Sequence, residues 1–230
     1  MIDKISSTQW FYLLNKENMD SLLELLDSEE ETGLSVEDIK KVKEIQHRLL
    51  TDNEILFDAI SKIVMPKKNR FKMVKRKKML SYTNMNKFSG QLFEYWENNI
   101  QLKLQFDLGE TGDGFGNSPA LLINFMVWSK DEGLLQKLNE DLSAIYQNEN
   151  FENSMVYNKE RHNKAVDEYF QNKVFDEDEE YFGDDNLLYA EFELREGMTY
   201  KDIEEFVRKF MDKYINNHWE KILEILKSKK

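Results

Sequence analysis

The feature that most constrains the fold is a pair of apolar segments near the middle of the chain. Over residues 100–108, apolar residues alternate with polar ones, which is the period-two pattern of a half-buried strand. After a glycine-containing connection, residues 120–129 form a nearly continuous apolar run that is typical of a strand covered on both faces. Pro119 suits the entry of this second strand, where no ladder N–H is needed. The two segments predict the centre of a sheet.

Helical periodicity dominates the chain before this sheet. Apolar spacing predicts four short helices ahead of residue 66, over residues 8–15, 18–26, 35–49 and 51–63. Ser35 and Thr51 are the expected N-caps of the last two, because each is followed three residues later by an acidic residue. Pro66 is expected to end the fourth helix, and a further helix is predicted over residues 86–98.

Beyond the two strands the pattern alternates again. Ser129 with Glu132 predicts a capped helix, and residues 160–170 predict another. Residues 187–195 predict a third strand. Thr199 with Asp202 opens the clearest helix of the chain, whose apolar face extends to Leu226.

Together these elements predict an α+β fold, with a helical N-terminal region followed by a small, mainly antiparallel sheet packed by a long C-terminal helix. The predicted division is a helical region over residues 1–65, a basic connecting segment over 66–85 and an α/β region over 86–230. One continuous domain is the alternative.

Composition excludes several classes of site. The chain has no cysteine, which excludes disulfides, thiolate nucleophiles and cysteine metal sites. No window approaches about 18 consecutive apolar residues, and the first residues lack the pattern of a signal peptide, so a cytoplasmic location is expected. Lysine far outnumbers arginine, a bias typical of AT-rich bacterial or phage genomes.

The most unusual feature is a basic segment over residues 67–78. It carries eight positive charges and no negative one, on Lys67, Lys68, Arg70, Lys72, Lys75, Arg76, Lys77 and Lys78. Because the whole chain carries −12, the remaining residues carry −20. Such a segment can bind a phosphate backbone, or it can lie against the acidic remainder of the same chain. Phe71 and Met73 are expected to anchor it to the core.

An acidic segment over residues 176–185 has the opposite character. Its carboxylates lie among the aromatic residues Phe175, Tyr181 and Phe182, and the candidate partner-binding residues are Asp176, Glu177, Asp178, Glu179, Glu180 and Tyr181. It fails as a calcium loop, since Tyr181 stands where an EF-hand requires glycine. Acidic and aromatic side chains together suit a basic partner surface, and a solvated loop is the alternative.

Candidate catalytic residues are few. A metal-dependent nuclease of the PD-(D/E)XK kind needs one acid on a strand and an acid-x-lysine on the next. Asp107, Glu193 and Arg195 are the nearest approximation, with arginine in place of lysine and one strand late. The glycines around residues 109–116 precede a strand rather than a helix, which indicates a hairpin loop more than a phosphate-binding loop.

The sequence therefore predicts a non-enzymatic interaction protein that binds another macromolecule, as immunity proteins, inhibitors and phage defence or counter-defence proteins do, with a protein partner contacting the acidic segment. The alternative is a protein that binds nucleic acid through the basic segment, with Mg²⁺ at Asp107 and Glu193 in a nuclease-like form. In the leading interpretation no cofactor is expected.

Overall fold

The computed structural model describes residues 4–15, 18–19, 21–22, 33, 35–65, 71–74, 90–111, 118–149, 151, 155–158 and 186–229. Its helices are α1 (Ser7–Leu14), α2 (Val36–Val64), α3 (Glu132–Ser143), α4 (Tyr200–Phe210) and α5 (Trp219–Ser228), with a π-helical turn (Met211–Asn216) between the last two. Its strands are β1 (Lys72–Met73), β2 (Gly90–Glu97), β3 (Ile100–Glu110), β4 (Pro119–Ser129), β5 (Val156–Asn158) and β6 (Asn186–Glu193).

The six strands form one antiparallel sheet in the order β1-β2-β3-β4-β6-β5. The strands predicted over residues 100–108, 120–129 and 187–195 are confirmed as β3, β4 and β6. Pro119 opens β4 as predicted, and its carbonyl accepts a hydrogen bond from the N–H of Leu194 at 2.7 Å. The predicted α+β class, with its N-terminal helices, is confirmed.

The helix predicted over residues 86–98 is wrong, because residues 90–97 form strand β2. The apolar residues of this segment lie close enough together to fit either period. Their burial shows the strand: Phe93 faces the helices, while Leu92 is buried on the opposite side of the sheet. A two-residue turn at Asn98 and Asn99 leads into β3, and Asn98 adopts a left-handed φ of 54° that asparagine tolerates better than most residues.

The two helices predicted over residues 35–49 and 51–63 are one continuous helix, α2. Ser35 caps it as predicted, with its Oγ accepting from the N–H of Asp38 at 3.2 Å. Thr51 does not cap a second helix, since its hydroxyl donates to the carbonyl of His47 at 2.9 Å, a bond that Thr makes inside a helix. The cap of α3 is likewise Asp131, whose Oδ1 accepts from the N–H of Leu134, and not Ser129.

One hydrophobic cluster joins the helices to one face of the sheet. It contains residues from all five helices and from strands β2 to β6, among them Tyr12, Leu56, Leu104, Leu142 and Ile222. α2 packs against α1 and α4, and α3 packs against β4 and α5. The predicted division at residues 65 and 86 stays a prediction.

The helix predicted from Thr199 is confirmed, with a capping box between Thr199 and Asp202. It continues through the π-helical turn, is interrupted at Asn217 and His218, and resumes at Trp219. A π-helical turn pairs backbone groups five residues apart instead of four. The carbonyl of Tyr214 accepts a hydrogen bond of 2.9 Å from the buried hydroxyl of Tyr146, and burial raises the pKa of that phenol.

The interruption before α5 directs Trp219 towards the edge of the sheet. Its ring lies 5.1 Å from Tyr95 on β2 and 5.5 Å from Phe71, centroid to centroid. All three side chains are buried. The C-terminal helix therefore holds the start of β1 through an aromatic contact.

A buried polar network ties the N-terminus to both helical layers. Gln9 on α1 donates from Nε2 to Oδ1 of Asn53 on α2 at 2.8 Å, and its Oε1 accepts from the hydroxyl of Tyr200 at 2.7 Å. Ser6 donates to the carboxylate of Asp52. Because these groups lie among apolar side chains, each hydrogen bond offsets a desolvation cost that would otherwise oppose folding.

Replacing Tyr200 with phenylalanine is expected to remove part of the alkaline destabilisation. Burial, with a smaller effect from Asp52, raises the pKa of Tyr200 to about 12, against about 10 in an unfolded chain. Between these two values the unfolded state releases the phenol proton while the folded state keeps it, so the free energy of unfolding falls as pH rises. Two pKa units correspond to about 2–3 kcal/mol.

Urea unfolding of both proteins between pH 8 and pH 12 measures this difference. The loss of unfolding free energy across the interval from pH 10 to 12 should be smaller in Tyr200→Phe than in the wild type. An offset between the two, from the lost bond to Gln9, is expected to be constant below about pH 10 and to narrow as pH rises towards 12. Parallel curves over the whole range would contradict the assignment to Tyr200.

Several predicted elements lie outside the described residues. These are most of the helix over 18–26, the helix over 160–170, Pro66, the acidic segment, and the basic segment apart from residues 71–74. Among the helices of the described part, none is long and apolar enough to cross a membrane.

Candidate functional site

The sheet presents two chemically different faces. Directly opposed residues of an antiparallel pair point to the same side, so the register assigns every strand residue to a face. One face carries the side chains of the hydrophobic cluster. The other, here called the second face, consists of Lys72, Leu92, Glu94, Trp96, Gln101, Lys103, Gln105, Asp107, Leu122, Asn124, Met126, Trp128, Tyr157, Tyr189, Glu191 and Glu193.

The helices pack on the first face. No second-face residue belongs to the cluster that contains the buried helix residues of the described chain. Polar groups are nevertheless partly buried on the second face: Gln101 and Lys103 are buried, and Gln105, Asp107 and Asn124 are half-buried. Burying amide and charged groups within a sheet costs free energy unless these groups are hydrogen-bonded or paired.

One end of the second face, next to the β2–β3 turn, carries two tryptophans. Trp96, Gln101 and Trp128 stand opposite one another on β2, β3 and β4. The two rings meet edge to face with centroids 6.3 Å apart. Gln101 lies between them and is 1% exposed, whereas Trp96 is 45% exposed. We call these three residues the tryptophan end.

The adjacent row contains two lysines and one carboxylate. Lys72, Glu94, Lys103 and Met126 are opposed in turn across β1 to β4. Nζ of Lys103 lies 5.6 Å from the centre of the Trp128 ring, and Oε2 of Glu94 accepts from Nε2 of Gln101 at 3.0 Å. Lys72 is exposed and forms no ion pair with any residue of the described chain.

The opposite end of the second face is acidic. Asp107 on β3 and Glu191 on β6 flank Leu122 in one row, and Glu193 follows in the next. The hydroxyl of Tyr189 donates to Glu191 at 2.7 Å, and Arg195 pairs with Glu193 at 3.3 Å. The second face therefore changes from aromatic and basic at one end to acidic at the other.

The three candidate catalytic residues lie at this acidic end but on strands that are not neighbours. Asp107 and Glu193 point to the same face with β4 between them, a separation of about 10 Å between strand axes. Among the described residues, no group of three His, Asp or Glu side chains is close enough to hold a metal ion. The nuclease-like site stays a prediction.

Residues 71–74 show how the middle of the basic segment is held. Phe71 is buried in the core, as predicted, and Val74 is buried against Leu92. The anchor predicted at Met73 is wrong, since this side chain is 48% exposed on an edge strand. Val74 also accepts from Nε2 of Gln91 at 3.0 Å, so β1 is fixed to β2 by side chains as well as by its ladder.

The other predicted binding residues are not among those described. These are Asp176, Glu177, Asp178, Glu179, Glu180 and Tyr181 of the acidic segment, and Lys67, Lys68, Arg70, Lys75, Arg76, Lys77 and Lys78 of the basic one. The acidic segment leads directly into β6, whose first residue Asn186 stands opposite Met126. This places the entry to β6 in the same row of the sheet as Lys72 and Lys103.

Sequence reasoning missed the tryptophan end. Trp96 was interpreted as part of an apolar helical face and Trp128 as part of a fully buried strand, so neither was a site candidate. The signal in the sequence is the number of residues between each tryptophan and the nearest turn. If β2, β3 and β4 pair as consecutive hairpins, this number puts Trp96, Gln101 and Trp128 opposite one another.

The chain was compared with protein-family models, with curated proteins and with solved structures. None of these comparisons finds a match.

Proposed function

We propose that this chain is an interaction protein that binds another macromolecule through the second face of its sheet. The observation that carries the proposal is Trp96, a large aromatic side chain that is 45% exposed on the face of the sheet opposite to the one on which the helices pack. Tryptophan is among the residues that contribute most to binding energy at interfaces.

The surroundings of Trp96 support a binding role over chance exposure. Its ring is held by contact with Trp128, so little side-chain freedom would be lost when a partner covers it. Polar groups that can form hydrogen bonds lie beside it, including Glu94 and the exposed Asn98 and Asn99 of the turn. An aromatic anchor with a polar rim is the usual composition of an interface.

Two partner classes are proposed for this face. A protein with a basic surface suits the acidic end of the second face, and Asp176 to Tyr181 of the acidic segment would make a further contact with it. A nucleic acid suits the tryptophan end and the basic segment, and one specific observation favours it: Lys72 of that segment is exposed in the row next to Trp96. A metal-dependent form would add Asp107 and Glu193.

A photocrosslinking side chain at position 96 tests the proposal in cells that make the protein. Crosslinks to a macromolecule are expected at position 96 and are not expected at position 11, where Phe11 on α1 is 50% exposed and provides a matched control. Trp96→Ala should weaken the captured complex about 10- to 30-fold, while Phe11→Ala should leave it unchanged. Equal crosslinking at the two positions would overturn the proposal.

A second variant set separates the acidic segment from the sheet face. Asp176→Asn, Asp178→Asn and Glu180→Gln together should weaken a complex with a basic protein. The same changes should leave a complex with a nucleic acid unchanged or slightly stronger, since they remove like-charge repulsion.

A further inference from the structure

The tryptophan end has the geometry of a stacking platform. A nucleobase can stack on an exposed aromatic side chain. Trp96 is 45% exposed and contacts Trp128 at 6.3 Å, and the ring of Trp128 is in turn covered by the Lys103 ammonium at 5.6 Å. Of the two tryptophans, Trp96 is therefore the exposed one, whereas the ring of Trp128 is already in contact with Lys103.

The carboxylates and the lysines around this platform differ in their contacts within the protein. Three carboxylates on the strands and turn of this region accept internal hydrogen bonds: Glu94 from Gln101, Glu97 from the hydroxyl of Tyr95 at 2.7 Å, and Asp131 from the backbone of Leu134 at 3.0 Å. Two lysines near the same end, Lys72 and Lys130, differ from these carboxylates. Lys72 and Lys130 are exposed and form no ion pair with the described residues.

Strand β1 brings Lys72 of the basic segment to this platform. Lys72 stands opposite Glu94, which is two residues from Trp96 on the same face of β2. Phe71 and Val74, both buried, fix the backbone on either side of the exposed Lys72. Lys72 is therefore held in the row next to the exposed tryptophan.

We infer that the tryptophan end binds single-stranded nucleic acid, with a base stacked on Trp96 and an adjacent phosphate bound by Lys72. The inference names a partner for the second face and so rests on the proposed function. A duplex is disfavoured, because its bases are stacked inside and offer only their edges, whereas unpaired bases can stack on an aromatic side chain. The net charge of −12 repels nucleic acid elsewhere on the chain on average, and the phosphate contact predicts binding that weakens as salt rises.

Fluorescence anisotropy with labelled 15-nucleotide oligo-dT, oligo-U and a duplex of the same length tests the inference on the full chain. Both single strands are expected to bind at 50 mM KCl and the duplex to bind at least about tenfold more weakly. Trp96→Ala should weaken single-strand binding by about tenfold or more. Phe11→Ala is the matched control for aromatic exposure and should leave the affinity unchanged.

Lysine variants separate phosphate contact from stacking. Lys72→Gln should lower the slope of log affinity against log salt by about 0.7, the loss of one phosphate contact on a single strand. Lys227→Gln on α5 is the control, since Lys227 is exposed and distant in the sequence from the basic segment. Stacking on Trp96 also predicts quenching of tryptophan emission by oligo-dT, and this quenching should be reduced in Trp96→Ala.

Three results would overturn the inference: no single-strand binding at low salt, binding that Trp96→Ala leaves unchanged, or duplex binding as tight as that of the single strands. If position 96 crosslinks to a protein while no oligonucleotide binds, the partner inferred here is wrong and the proposed function stands. If position 96 crosslinks to nothing and no oligonucleotide binds, both fail.

Discussion

Trp219→Ala is expected to lower the free energy of unfolding by about 3–5 kcal/mol, the usual cost of truncating a buried large aromatic side chain. The indole is 5% exposed and packs against Phe71 and Tyr95 with centroids 5.5 and 5.1 Å away. Truncation would leave a cavity at the point where the C-terminal helix, the start of β1 and β2 meet. Urea unfolding monitored by circular dichroism measures the change.

A second tryptophan provides the control. Trp96→Ala removes the same side chain from a site that is 45% exposed, and a change of about 1 kcal/mol or less is expected. The pair also separates stability from binding, because Trp96→Ala should affect partner binding far more than folding. Equal destabilisation by the two substitutions would show that the aromatic contact at Trp219 is not a principal element of the core.

The strands at the centre of the sheet were predictable because their signal is local. Residues 100–108 alternate strictly, and the alternation matches the two faces of β3, with Leu102, Leu104 and Phe106 in the cluster that contains the helices. Residues 120–129 form an apolar run that is buried along most of β4. Both patterns are local to one strand, so each strand could be predicted without knowing how the two strands pair.

The errors occurred where a local pattern fitted two structures. β2 has buried side chains on both sides, Leu92 on one and Phe93 on the other, and this breaks the alternation that would have identified it as a strand. Thr51 matched the pattern of an N-cap but bonds to His47 within α2. For β2 the deciding interaction is packing on both faces of the sheet, and for Thr51 it is a hydrogen bond one helical turn away. The spacing of residue types over a short segment does not show either of them.

The candidate site was less predictable than the fold, because it is defined by register. Trp96, Gln101 and Trp128 come from three strands and are adjacent only when β2, β3 and β4 are aligned. The charge of the basic segment was evident from sequence, whereas the position of Lys72 beside Trp96 required the pairing of β1 with β2. The same register separates Asp107 from Glu193 by a strand, which spacing along the chain did not indicate.

Gln9→Leu is expected to lower the free energy of unfolding by about 2–4 kcal/mol, although it keeps the size of the side chain and adds apolar surface. Gln9 is 1% exposed, and its amide bonds to Asn53, Tyr200 and the backbone N–H of Ser6. Leucine would remove the acceptor of the buried Tyr200 hydroxyl and the donor to Asn53. Loss of a buried partner costs about 1–3 kcal/mol per group.

Gln136→Leu, on the exposed surface of α3, is the control and should change stability by about 0.5 kcal/mol or less.

A double-mutant cycle with Tyr200→Phe identifies the origin of this cost. Tyr200→Phe removes the hydroxyl that Gln9→Leu leaves without its 2.7 Å acceptor, so the double variant should be less destabilised than the sum of the two single variants. A coupling of about 1 kcal/mol or more is expected for two groups in one buried network. Additive effects would mean that the loss in Gln9→Leu comes from packing around α1, and the polar network would then contribute no net stability to the contact between α1 and α4.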